Sequence, residues 1–278
     1  MTNARSVVIE GGLKQQVYDF WESSSCGEVY ARGDSLRERV EAHARTRYRL
    51  EPYIPDFARF HEGAGCDVLE VGVGMGADHA EWAKSGLRSL AGIDMTPRAI
   101  AHTDARLGLY GHRSNLMVAD AECIPFATHS FDLVYSWGVL HHTPDTPGAV
   151  REVLRVLRPG GVARVMIYHT YSLVGYMLWV RYGLLRGRPG RSLGNIYAHH
   201  LESPGTKAYT VAGARALFSG FSQVTARPML SFGDLMQGGV GQRHRGMLLD
   251  VAKALWPRRL IRRLLSRHGL FLLIEAVK

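Results

Sequence analysis

Between residues 66 and 169 short apolar runs alternate with stretches of helical periodicity. The runs are CDVLEV (66–71), LAGID (90–94), NLMVAD (115–120), FDLVYS (131–136) and GVARVMIYH (161–169). Each is largely continuous rather than alternating, which is the pattern of a strand covered on both faces, as in a parallel sheet. The helices between them have readable ends. Thr96 stands where an N-cap is needed with Pro97 at the first helical position, and Gly108 sits just past the end. Thr146-Pro147 repeats that start. Ala149, Val150, Val153, Leu154 and Leu157 then form an apolar stripe that Arg158-Pro159-Gly160-Gly161 brings to a stop. Repeated strand–helix units of this kind predict an α/β, Rossmann-like, doubly wound sheet.

The flanks read differently. Residues 13–60 are helical and polar-amphipathic, with Leu36, Val40, Ala44 and Tyr48 one turn apart, and are broken by SSSCG (23–27), Pro52 and Pro55. They predict an N-terminal helical cap over 1–60, ahead of a sheet domain over 61–278. After 169 the rhythm loosens into two insertions, near 171–207 and 231–267. Between them lie a helix, TVAGARALFSGF (210–221), and a strand, SQVTARPML (222–230). GLFLLIEAVK (269–278) closes the chain as a further strand.

The chain's 278 residues, 46% hydrophobic and 21% charged, suit one large globular domain and exclude a disordered chain. Three widely spaced cysteines, Cys26, Cys66 and Cys123, exclude a disulfide scaffold and a cysteine-rich zinc site and point to a reducing compartment. The first residues lack the apolar stretch of a signal peptide, and no run approaches a membrane span, so a cytoplasmic protein is expected. The net charge of +9 is concentrated in PRRLIRRLLSRH (257–268), a local cluster rather than a basic face, which makes nucleic acid a weak expectation. Within 255–269, Leu260, Ile261, Leu264 and Leu265 share one face and arginines the other. That pattern fits a helix docked on its own protein, with peripheral contact to anionic lipid as the alternative.

The strongest local signal is VLEVGVGMGAD (68–78), a strand running through Gly72, Gly74 and Gly76 into a helix. Such a turn lets a ligand approach the backbone, and Gly72-x-Gly74-x-x-Ala77 satisfies a dinucleotide fingerprint as well. Asp94, twenty residues beyond Gly74, ends the second strand where a carboxylate accepts from ribose hydroxyls. Glu70 breaks the tie: a carboxylate there repels a pyrophosphate and attracts a cationic cofactor. Asp120-Ala121-Glu122 ends the third strand with groups suited to an adenine edge, or with a helix N-cap at Asp120.

With these residues assembled, the chain resembles the class I S-adenosylmethionine (SAM) methyltransferases, in particular the ubiquinone/menaquinone-biosynthesis group. VLEVGVGMG (68–76), GID (92–94), ADAECIPFATHSFDLVYSWGVLHH (119–142) and REVLRVLRPGG (151–161) carry the resemblance. It implies a seven-stranded sheet whose last strand is antiparallel. It also implies that Glu70, Gly72, Gly74 and Gly76 line the methionine half of SAM and that Asp94 holds the ribose. Met95 would pack on the adenine, which Asp120 and Ala121 would meet, and Ser136 would close the site. Asp78 would reach the cofactor or favour its helix start, and Arg47 would pair with the cofactor carboxylate or face solvent.

Methyl transfer needs an acceptor aligned with the sulfonium, and a base only for some acceptors. His141 and His142, after the fourth strand, and Tyr168, ending the fifth, are the catalytic candidates; His169 stands next to them. No metal-ligand spacing is present and no metal is expected. Trp21 and Cys26 in the cap and Tyr171, Tyr176, Trp179 and Tyr182 in the first insertion either line an acceptor pocket or pack the lid. The expected activity is methylation of O, N or activated C on a small molecule. RNA methylation, a SAM-binding regulator without turnover and a nicotinamide dehydrogenase are the alternatives. Against RNA, Ser136-Trp137-Gly138 stands where an asparagine-proline-proline-aromatic motif would.

Overall fold

The computed structural model describes residues 12–237 and 256–278. Seven strands form one sheet: β1 (Asp67–Val71), β2 (Ser89–Asp94), β3 (Asn115–Val118), β4 (Phe131–Trp137), β5 (Leu157–Tyr168), β6 (Gln223–Met229) and β7 (Phe271–Val277). Their order is β3-β2-β1-β4-β5-β7-β6, and β7 runs antiparallel to both neighbours. The reversal at β1 and β4 opens a crevice beyond their carboxyl ends, where doubly wound sheets bind ligands.

Strand alternation divides the core into two layers. Leu69, Val71, Val134, Val165, Ile167 and Ile274 face α6 (Thr146–Val156) and α9 (Val211–Leu217). Val68, Leu133, Tyr135, Trp137, Met166 and Tyr168 face the other way. That second layer takes in α3 (Ile54–Ala58), Trp82 of α4 (Ala77–Ala83) and Tyr197 of α8 (Leu193–His200). The continuous apolar runs follow from this burial on both faces.

Two helix ends differ from the sequence expectation. Thr96 does cap α5 (Pro97–Leu109), accepting from the Ala99 N–H, but Gly108 lies inside the helix, whose reversal falls to Gly111. Asp145 rather than Thr146 caps α6, because its carboxylate reaches the Gly148 N–H at 2.9 Å. The Arg158–Gly161 turn is drawn into the start of β5, where the pairing with β4 shifts register between Phe131 and Leu133.

The cap consists of α1 (Gly12–Ser23), α2 (Leu36–Leu50) and α3. Ser35 and Glu38 form a reciprocal capping box on α2. Its buried stripe is Val40, His43 and Leu50; Leu36 is exposed, because the helix begins beyond the body it packs on. Ion pairs tie the cap to α5: Arg98 meets Glu28 through Nη2 (2.5 Å) and Nε (3.0 Å).

The first insertion folds as α7 (Leu173–Tyr182) and α8. In the second, residues 238–255 lie outside the described residues, and α10 (Arg258–Leu264) follows. Leu260, Ile261, Leu264 and Leu265 do not share one face. Ile261 is buried on Leu230 and Leu235 with Leu265 beside it, while Leu260 and Leu264 are exposed. No helix among the described residues is long and apolar enough to cross a membrane.

Candidate active site

The loop 72–76 links β1 to α4 along the crevice. Gly72 has φ +84°, and a Cβ there would stand 2.1 Å from Val139 Cγ2, so only glycine lets the loop meet the turn after β4. Around Gly74 the space is open: a Cβ would find no atom within 4 Å. The Gly74 N–H donates to Asp94 Oδ2 (3.2 Å), and the Thr96 N–H and hydroxyl donate to Asp94 Oδ1 (3.0 and 2.9 Å). Asp94 thus stands at the loop tip, half-buried, with Met95 beside it. Burial raises its pKa against those three hydrogen bonds.

Asp120 and Ala121 follow β3. Lys14 of α1 reaches over them, 2.6 Å from Asp120 Oδ2 and in contact with Glu122 as well. The cap therefore lies directly across the place expected to meet adenine. The Asp120 carboxylate also accepts from the Glu122 N–H at 2.9 Å, as a turn-forming residue does.

Four side chains do not face the crevice in the manner the sequence suggested. Glu70 shares the Val68 side of β1 and is buried under α4, where His79 Nδ1 lies 2.9 Å from its carboxyl; His79 Nε2 continues to Ser114 at 2.8 Å. Burial pushes Glu70 well up and His79 down to about 3, and the Glu70 carboxyl meets His79 rather than the crevice. Ser136 lies on the α6 side of β4 and donates to the Val71 carbonyl at 2.9 Å, which ties two strands together. Arg47 is committed to protein carboxylates: it donates to both oxygens of Asp78 (2.9 and 2.6 Å) and to Glu51 (3.3 Å). Asp78 accepts from Tyr48 (3.0 Å) and Tyr135 (2.9 Å) besides. Burial alone would raise its pKa, but Arg47 and the two phenols hold it low. This pairing anchors the cap behind the glycine loop.

On the other side of Val139, the turn Leu140–His142 meets the end of β5. His141 is fully buried, with its ring 4.0 Å from Tyr168 and 4.2 Å from His142, and neither ring nitrogen has a hydrogen-bond partner. Burial, then His142 and Lys207, push its pKa well below the usual histidine value, so it is neutral. The Tyr168 hydroxyl donates to Glu202 Oε2 at 2.6 Å, and His142 Nε2 lies 3.4 Å from the same oxygen. His142 Nδ1 meets the Ser203 and Thr206 hydroxyls at 2.8 and 3.1 Å. The Thr206 hydroxyl donates to the Ser203 carbonyl, so Ser203 is the donor to Nδ1 and a neutral His142 carries its hydrogen on Nε2. His141, His142 and Tyr168 therefore come together around a carboxylate.

Tyr53, Trp137 and Phe271 extend this cluster. Tyr53 stacks on Trp137 at 6.1 Å, and Phe271 lies 6.1 Å from Tyr168 in parallel. Trp21 of α1 meets the His142 ring at 5.3 Å. Cys26, on the loop after α1, is exposed. Burial raises Glu51 to about 7, with Asp78 and Glu202 adding to the effect and Arg47 opposing it.

The aromatic residues of the first insertion are engaged elsewhere: Tyr176 with His268, Trp179 with the Arg191 carbonyl, and Tyr182 with His200. His169 points to the opposite side from Tyr168, its Nδ1 3.2 Å from the Gly269 carbonyl. No group of His, Cys, Asp and Glu among the described residues is placed to hold a metal. Glu202, Glu51 and Lys14 belong to the site region without any motif to flag them. The only sequence trace of Glu202 is that it is the first acid after a long acid-free stretch.

Residues 69–165 match the family model described as a methyltransferase domain. The chain is 34% identical over 116 residues to an uncharacterized protein of Mycobacterium tuberculosis, covering 42% of each chain. It is 31% identical over 132 residues to cycloartenol-C-24-methyltransferase 1 of Oryza sativa subsp. japonica, covering 46% of this chain and 35% of that one. The matches thus span less than half the length of these relatives. A SAM-dependent methyltransferase structure from Mesorhizobium loti superposes with a TM-score of 0.54 at 18% identity, covering 81% of this chain and 97% of that one. Strand order, glycine loop and domain match agree, which sets the nicotinamide reading aside. Residues 69–165 thus carry a methyltransferase domain, on a sheet whose fold is shared with SAM-dependent methyltransferase structures.

Proposed function

We propose that the protein transfers a methyl group from SAM to a small-molecule acceptor seated between the glycine loop and the Tyr168–Glu202 cluster. The observation that carries this reading is the packing of Val139 on Gly72, which makes the loop and the histidine turn two sides of one wall. Bound SAM supplies an electrophilic methyl group on a sulfonium. Open space at Gly74 and a carboxylate with exposed surface at Asp94 fit its ribose end. Gly72, Gly74 and Gly76 form the floor of that half, and Met95, Asp120 and Ala121 line its adenine side.

The acceptor would rest on Tyr53, Trp137, Tyr168 and Phe271, an apolar aromatic floor. The rice relative is named for a sterol substrate, which accords with an acceptor that is largely apolar. Trp21 of the cap, packed on His142, shields the acceptor side from water, and alignment at about 3–3.5 Å does most of the catalytic work. Where the nucleophile carries a proton, Glu202 is the group placed to take it. His142 cannot do so directly, because its Nδ1 lone pair is held by the Ser203 hydroxyl. The Tyr168 hydroxyl orients the carboxylate, with His142 Nε2 close by at 3.4 Å, and His141 supports the Tyr168 ring.

Titration calorimetry with SAM and S-adenosylhomocysteine, followed by a methylation screen of metabolite and RNA fractions with labelled SAM, tests this. Tight binding and label in a small organic molecule are expected. No SAM binding, or label confined to RNA, would overturn the reading, and binding without turnover on any fraction would favour a regulator.

A further inference from the structure

The end of the first insertion leaves large apolar side chains in water. Leu184 and Leu185 are 50% and 74% exposed, and Val180, one turn earlier, is 41% exposed. They sit beside a concavity of about 450 Å³ lined by Tyr182, Arg186, Arg188, Arg191 and His200. From Thr170 to Leu201 the chain has no acidic residue. The neighbouring α10 repeats the composition. Its Ile261, with Leu265 just beyond it, packs with Leu173 at the start of α7, and His268 further along meets Tyr176 of α7 at 3.0 Å. This segment leaves Leu260 and Leu264 exposed between arginines, and from Trp256 to Ile274 there is again no acid.

Exposed leucine among arginine is unfavourable against water and of no use to the core. It is complementary to one kind of surface: apolar side chains enter the acyl boundary while guanidinium groups meet phosphate. A protein partner would need an acidic face with apolar gaps of matching spacing, whereas a bilayer offers both at any spacing. We propose that the 180–191 turn docks the protein on an anionic phospholipid membrane. Leu184 and Leu185 insert, and the arginine-lined concavity receives a lipid phosphate. The same insertion continues through α8 to Glu202, so docking places the acceptor side of the crevice near a source of apolar acceptors.

Co-sedimentation of the whole protein with vesicles of phosphatidylcholine alone, or mixed with phosphatidylglycerol, tests this directly. Binding to the mixed vesicles only, weakened by salt, is expected. Leu184→Ser/Leu185→Ser and Arg186→Gln/Arg188→Gln should each lower the partition coefficient about tenfold or more, while Val29→Ser on the cap leaves it unchanged. SAM binding by calorimetry confirms that each variant is folded. Absence of vesicle binding by the folded parent, or equal binding to both vesicle types, overturns the proposal. So does arginine-dependent binding of inorganic phosphate or RNA without vesicle binding, or a leucine-dependent dimer in vesicle-free solution.

Discussion

A carboxylate that accepts three protein hydrogen bonds and still keeps exposed surface, as Asp94 does, has acceptor capacity left for a ribose hydroxyl. Asp94→Ala should therefore weaken SAM binding by about 1–3 kcal/mol in calorimetry, with circular dichroism unchanged. Full affinity in that variant would remove Asp94 from the site. Glu202 belongs to the other half of the crevice. If it takes a proton from the acceptor, Glu202→Gln should lower turnover by roughly 10²–10⁴-fold and erase the acidic limb of the pH–rate profile. His142→Ala, by contrast, should cost less and leave that limb in place, since His142 acts on Glu202 rather than on the acceptor. A Glu202→Gln enzyme with unaltered turnover would mean that the acceptor reacts without a base.

At the scale of elements, α1 is held over the crevice by buried Val17, by Trp21 against His142 and by one ion-paired lysine. Lys14 bridges Asp120 and Glu122, and its partners at the end of β3 lie where adenine is proposed to sit. We expect α1 to behave as a lid, with Lys14 as its latch. A half-buried pair of this kind is worth about 1 kcal/mol, equivalent to about a fivefold change in an opening equilibrium. Limited proteolysis of Lys14→Ala should accordingly cut within 12–35 several-fold faster than in the parent, and SAM should slow the cleavage. Cleavage at the parental rate would show that Val17, buried on the underside of α1, holds the helix without help from the ion pair.

The molecule as a whole carries buried groups that titrate in opposite directions. His43 and His79 are both pushed down to about 3, mainly by burial and, for His43, next by Arg106. The unfolded chain takes up these protons as pH falls below about 6.5, whereas the native state resists until about 3. Each such histidine therefore removes up to about 1.4 kcal/mol of stability per pH unit across that window. Glu51, raised to about 7, opposes this: its contribution is complete below the usual glutamate range and is lost as pH rises through 7. From these three groups stability should fall by up to about 1.4 kcal/mol per pH unit from pH 6.5 to 4.5, and by up to about 2.8 kcal/mol per pH unit below that. Denaturant titrations of His79→Gln should show an acid slope shallower by up to about 1.4 kcal/mol per pH unit, and parallel curves would refute the neutral assignment of His79.

The sheet and the glycine loop were legible in the sequence because both are written locally. Continuous apolar runs and helix stripes report burial on two faces, and Gly72 is required by a backbone conformation that no other residue adopts cheaply. Even the placement of Glu70 under α4 was latent in its sharing the Val68 face of β1, although its partner there, His79, was not. What only the tertiary structure decided is which polar side chain meets which. Arg47 finds Asp78 across the cap, Lys14 finds Asp120 across the crevice, and Glu202 leaves a motif-free insertion to stand between Tyr168 and His142. The outward turn of Leu260 and Leu264 is of the same kind, fixed by where Ile261 found a hydrophobic neighbour. Periodicity fixes the face a side chain occupies, but a charge's partner depends on distances between segments far apart in the chain, and those exist only once the layers have packed.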